Sequence, residues 1–190
     1  MSDMVVVASA VIDALEGLGV RYSVGGSMAS SFGGEPRASI DVDIVVAMTR
    51  AHAEPFVNAL GPAFYADVDA VTRAIASGSS VNVIHRNSGI KVDLFVARST
   101  LDRRQLERRR SVVVSDDPLR RWFVHSPEDI LIQKLLWYRD GGEVSDRQWR
   151  DVLSILLVQG GRLDDAYVTL LAIEHGLLDL LERARREAIG

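Results

Sequence analysis

No cysteine occurs in the 190 residues, which excludes disulfides, thiolate zinc sites and cysteine nucleophiles and leaves oxygen or imidazole to hold any metal. Aromatic residues make up only 6%, too few to point to a base-stacking platform. No apolar run approaches the roughly 18 residues that a membrane span needs. The N-terminal stretch carries Asp3 where a signal peptide carries positive charge, and Ser9, Asp13 and Glu16 interrupt its apolar residues. A cytoplasmic protein without a membrane partner is the expectation. The net charge of -4 disfavours broad attraction to nucleic acid but averages over local patches. One such patch runs through Arg103, Arg104, Arg108, Arg109 and Arg110, with Arg120 and Arg121 soon after; its plainest reading is a solvated helix face.

What is present is ordinary globular composition, with 47% hydrophobic and 25% charged residues, enough for one sizeable core. Val5, Val6, Ala8, Val11, Ile12, Leu15 and Leu18 recur at helical spacing, Gly17 to Gly19 end that helix, and residues 20–24 read as a first strand. A Gly25-Gly26-Ser27 turn, a short helix over 27–32 and a second strand over 40–47 follow. Residues 49–60 read as a helix capped by Thr49, 64–65 as an edge strand, and 67–76 as a helix capped by Asp67. Residues 80–85 and 90–97 flank Asn87-Ser88-Gly89 as a hairpin. A helix over 101–109 and short strands at 112–114 and 122–124 complete this part. From Ser126-Pro127-Glu128-Asp129, a helix start signal, only helices follow, over about 127–140, 146–158, 164–174 and 177–188. The expected fold class is α+β: a mixed sheet flanked by helices in residues 1–125, and a helical subdomain in 126–190.

Three aspartates carry the chemistry. Asp41 and Asp43 are two apart on one strand, so both point to one face. Two carboxylates about 4 Å apart repel by roughly 4 kcal/mol at an effective dielectric near 20, so unless both are fully solvated a cation must offset them. Magnesium is a hard ion that takes carboxylate oxygens and completes its shell with water and phosphates. Asp93 is a lone acid in the apolar strand Ile90-Lys91-Val92-Asp93-Leu94-Phe95. If its strand lies beside that of Asp41 and Asp43, three carboxylates can hold two ions about 3.5–4 Å apart, as phosphoryl transfer uses. The Gly25-Gly26-Ser27 turn before a helix lets backbone N–H groups approach a phosphate, although neither a Walker loop nor a dinucleotide fingerprint is present. The four histidines, His52, His85, His125 and His175, have no ligand spacing and read as solvated or capping groups. Asp146, Arg147, Arg150 and Asp151 read as intrahelical ion pairs, and Lys134 flanks a helical apolar stripe as snorkelling surface lysines do.

Together, Val24-Gly25-Gly26-Ser27, Arg37-Ala38-Ser39-Ile40-Asp41-Val42-Asp43-Ile44 and Lys91-Val92-Asp93-Leu94-Phe95 resemble the nucleotidyltransferase superfamily of the DNA polymerase β type. With the helix Pro127-Glu128-Asp129-Ile130-Leu131-Ile132-Gln133-Lys134-Leu135, they look most similar to its AbiEii-like group, which includes toxins of toxin–antitoxin systems. The resemblance covers roughly residues 20–136. It implies magnesium, two ions, on Asp41, Asp43 and Asp93, with Asp93 as ligand or base. Gly25, Gly26 and Ser27 would face the triphosphate of an NTP, and Arg37 and Lys134 would pair with its phosphates. The implied activity is transfer of a nucleoside monophosphate to a hydroxyl of RNA, tRNA, protein or a small molecule, in a toxin with a cognate antitoxin protein or in a small-molecule-modifying enzyme. A catalytically silent nucleotide- or protein-binding module of the same fold is the alternative. A basic groove leading to the aspartates would favour RNA, and an enclosed acidic pocket a cationic small molecule.

Overall fold

The computed structural model describes residues 3–34 and 41–189. These fall into two compact units, one of residues 3–28 and 41–124 and the other of 29–34 and 125–189. Residues 29–34 thus group with the helices, not with the sheet that precedes and follows them in the chain.

The first unit is built on a seven-stranded mixed sheet, with its strands in the order β3-β4-β5-β2-β1-β7-β6. These strands are β1 (Tyr22–Val24), β2 (Asp41–Val46), β3 (Phe64–Tyr65), β4 (Ser80–His85), β5 (Lys91–Val96), β6 (Arg110–Asp116) and β7 (Leu119–Val124). The pairs β2/β5 and β1/β7 are parallel and the other neighbours antiparallel. The helices of this unit are α1 (Asp3–Gly17), α3 (Ala53–Leu60), α4 (Val68–Ser77) and α5 (Thr100–Arg108), together with the start of α2 (Gly26–Gly33).

Alternation along the central strands decides what faces the core. Val42, Ile44 and Val46 of β2 and Val92, Leu94 and Val96 of β5 are buried, as period-two strands with one covered face require. They join Val11, Ile12 and Leu15 of α1, Phe56 of α3 and Val71 of α4 in one core. Each such side chain contributes about 1.5–3 kcal/mol on full burial. The odd-numbered residues of β2 and β5, which include every aspartate of interest, therefore point to the opposite face.

Three local elements differ from the sequence expectation. Residues 49–60 split into a short 3-10 turn, Arg50–His52, and α3. His52 is the reason: its Nδ1 accepts the Thr49 backbone N–H at 3.0 Å, the role an acidic residue usually plays in a capping box. The strands expected at 112–114 and 122–124 are longer and pair with each other as the antiparallel β6–β7 hairpin. Its ends are built from arginines and aspartates, which carry no apolar alternation.

The second unit is helical: α6 (Pro127–Asp140), α7 (Asp146–Gln159), α8 (Asp165–Glu174) and α9 (Leu178–Ile189). Ser126 caps α6, accepting the Asp129 N–H at 3.2 Å and donating to its carboxylate at 2.8 Å. Tyr167 of α8 donates its hydroxyl to Asp129 at 2.7 Å, which ties α8 to the start of α6. Trp149 of α7 donates to Glu187 of α9 at 2.7 Å and lies under the Arg183 guanidinium at 4.3 Å.

Lys134 corrects the snorkelling expectation. It is only 1% exposed, and its ammonium lies 2.8 Å from the Asp151 carboxylate. Asp151, expected to pair within its own helix, is thus held by α6. A charge buried to this degree is tolerated only when paired. His125, also 1% exposed, is a buried histidine and not a solvated one.

Candidate active site

The parallel β2/β5 register sets Asp43 directly beside Asp93 and Asp41 directly beside Lys91. Neighbouring strands lie about 4.8 Å apart, so Asp43 and Asp93 are closer at the backbone than Asp41 and Asp43, which are about 7 Å apart along one strand. On the far side of Asp93, β4 contributes Asn82, its register partner. One level of the sheet thus reads Asn82, Asp93, Asp43, and the next reads Lys91, Asp41.

The glycine turn closes the other side of Asp43. The Gly25 N–H donates to the Asp43 carbonyl at 2.8 Å, so the turn is anchored to β2 by its backbone. Gly26 has a φ of +59°, and a Cβ built on it would lie 1.8 Å from Asp43 Oδ2. Only glycine fits there, both for its left-handed backbone and for the space that the carboxylate occupies. The three residues Gly25, Gly26 and Ser27 therefore place the first turn of α2 against an acid. The start of a helix favours anions through its dipole.

Asp93 is 15% exposed; its Oδ2 meets the Lys91 ammonium at 3.0 Å, while its Oδ1 is buried and has no hydrogen-bond partner. Asp93, by hydrogen bond and charge, raises the pKa of Lys91 above the ordinary lysine value, and Asp41 and Asp43 add to the effect. A hard cation suits this donor set: three carboxylates on one face, no thiolate or imidazole among them, and one buried oxygen that lacks a partner. Among the described residues no three acidic or imidazole side chains converge closely enough to form a ready-made metal site. The strands lie side by side as expected, but the three carboxylates do not converge: Asp93 is turned onto Lys91.

Of the residues singled out from the sequence, Asp41, Asp43, Asp93, Gly25, Gly26 and Ser27 come together in the sheet unit. Lys134 lies in the helical unit, buried on Asp151, and Arg37 lies outside the described residues. Sequence reasoning missed Lys91 and Asn82. Lys91 carried one available signal: it is one of two lysines in the chain, and it sits at the same strand position as Asp41 does. The basic run is largely engaged within the sheet unit. Arg109 donates to the Tyr22 carbonyl at 2.7 Å and stacks 4.1 Å over Phe123, Arg120 pairs with Asp13 at 2.9 Å, and Arg103 donates to the Arg98 carbonyl at 3.0 Å.

No protein-family model matches the chain, and no curated protein matches it in sequence. Solved structures do match it. The solution structure of the antibiotic-resistance factor ANT(2'')-Ia is similar over 96% of this chain and 97% of its own, at a TM-score of 0.57 and 14% identity. The crystal structure of an antigenic nucleotidyltransferase-like protein from Paracoccidioides brasiliensis is similar over 94% of this chain and 92% of its own, at a TM-score of 0.52 and 18% identity. At these identities the likeness is one of fold, and it extends over nearly the whole of each chain. The protein therefore has a nucleotidyltransferase-like fold, with its row of aspartates on the sheet face opposite Val42, Ile44, Val92 and Leu94.

Proposed function

We propose that the protein is a magnesium-dependent nucleotidyltransferase that moves a nucleoside monophosphate from an NTP to an acceptor hydroxyl. The observation that carries this reading is the β2/β5 register, which sets Asp43 beside Asp93. Asp41, Asp43 and Asp93 would hold the magnesium. When bound, magnesium supplies positive charge to the phosphates and to the attacking and leaving oxygens.

The chain's own groups account for the remaining work. The N–H groups at Gly26 and Ser27 receive phosphate oxygens at the start of α2. Gly26, lacking a Cβ, lets that backbone lie against Asp43. Asp93 takes the proton of the acceptor hydroxyl as the hydroxyl oxygen bonds to the α-phosphorus. The bond from that phosphorus to the bridging oxygen breaks, and pyrophosphate leaves.

Pairing of Arg120 with Asp13 removes one charge from a basic RNA groove. The similarity to an antibiotic-resistance factor fits a small molecule. A toxin that modifies tRNA is the competing reading; the resemblance to the AbiEii-like group supports it. Pyrophosphate release, measured with each NTP, magnesium and separate RNA, protein and small-molecule fractions, tests the reading. Release with one fraction, abolished by Asp43→Asn, is the expected result; magnesium-dependent NTP binding with release from none would favour the silent binding module.

A further inference from the structure

The chain has two lysines, and each makes an ion pair with an aspartate. Lys134 is enclosed, whereas Lys91 is 37% exposed and reaches Asp93 from the open side of the carboxylate row. Its position follows from the register: opposite Asp41, and two residues before Asp93 on the same face. A lone ion pair with this much exposure contributes little to stability. Lys91 differs because the acid it holds belongs to a row of three like charges, which repel when no cation lies among them.

Resting on the reading of this row as the metal-holding site, we propose that Lys91 is its resident counter-cation, a positioning residue that a divalent ion must displace from Asp93. An ammonium and a divalent ion compete for the same oxygen, Asp93 Oδ2, and repel each other there. With the ammonium in place, Asp93 is turned onto Lys91 and the carboxylates do not converge, as observed among the described residues. With the ammonium released, Asp93 is free to turn toward its register partner Asp43. The flexible four-carbon stem and partial exposure of Lys91 let the ammonium leave without unfolding β5. Lys91 thus offsets the charge of the acid row in the metal-free protein and opposes the metal that replaces it.

Manganese binding to the whole chain, followed by the electron-spin-resonance signal of free Mn2+ without nucleotide, tests this directly. Lys91→Met is expected to bind manganese about tenfold more tightly than the wild type, about 1.4 kcal/mol of competition removed. The same variant is expected to melt at a lower temperature than the wild type without metal, and to gain more from added manganese. Lys91→Arg, which keeps the cation, should bind as the wild type does, and Asp43→Asn should lose binding. Unchanged or weaker binding by Lys91→Met, with wild-type binding intact and dependent on Asp43, overturns the role of Lys91 alone. Manganese binding by neither the wild type nor Lys91→Met overturns the reading of the row as a metal site, and this inference with it.

Discussion

Replacing Gly26 by alanine probes the glycine turn and the acid row at once. The backbone at Gly26 has a φ of +59°, a left-handed conformation that costs an L-residue roughly 1–2 kcal/mol. For a chain of this size that corresponds to a fall in melting temperature of about 2–8 °C. The steric effect is separate and local. The new Cβ would sit 1.8 Å from Asp43 Oδ2 and 2.7 Å from its Cγ, whereas ordinary contacts begin near 3.4 Å. The carboxylate must move by more than an ångström, a displacement that can cost about 10²-fold in a catalysed rate. Calorimetric melting and manganese titration of the same sample separate the two effects. A modest fall in melting temperature with at least a tenfold loss of manganese affinity is expected. A Gly26→Ala protein that melts and binds manganese as the wild type does would refute both the tight packing and the place of Asp43 in the site.

Three further outcomes follow from the helical unit. Lys134→Met should destabilise the protein by about 3–5 kcal/mol in urea unfolding, because it leaves Asp151 buried without its cation. The double variant Lys134→Met, Asp151→Leu should recover most of that loss, since a hydrophobic pair avoids desolvating both charges. The Trp149 N–H and then Arg183 hold the Glu187 carboxyl below the usual glutamate range. A depressed acid stabilises the fold above its unfolded pKa, about 4.3, and that contribution is lost as the pH falls through the folded value. Melting temperature should therefore fall with pH below about 4.3, and Glu187→Gln should flatten that fall while lowering the neutral-pH value; an unchanged acid slope would contradict the bond to Trp149.

The helices and the β4–β5 hairpin were legible because local rules decide them. Asn87-Ser88-Gly89 between two alternating runs leaves little else for residues 80–97 to form, and Ser126-Pro127 starts α6 where expected. The β6–β7 hairpin was under-read because Arg110, Asp116, Arg120 and Arg121 hide the alternation. The identity of the site residues was also local: Asp41 and Asp43 by their spacing, Asp93 by its isolation among apolar neighbours. Their arrangement was not. That Asp43 lies beside Asp93 and Asp41 beside Lys91 is a matter of parallel register between strands fifty residues apart, and no spacing within either strand encodes it. Lys134 was misread for the same reason: its partner Asp151 lies on the next helix, and the leucines around it are compatible with either surface or interior.

The most direct measurement of the central claim uses NTPs labelled at the α-phosphate and, in parallel, at the γ-phosphate, incubated with the protein, magnesium and a fractionated cell extract. Transfer of the α-label to one acceptor fraction, none of the γ-label, and loss of transfer in Asp43→Asn and Asp93→Asn is the predicted result. Transfer of the γ-label, or α-label transfer that survives both substitutions, would contradict the assignment of these aspartates to nucleotidyl transfer.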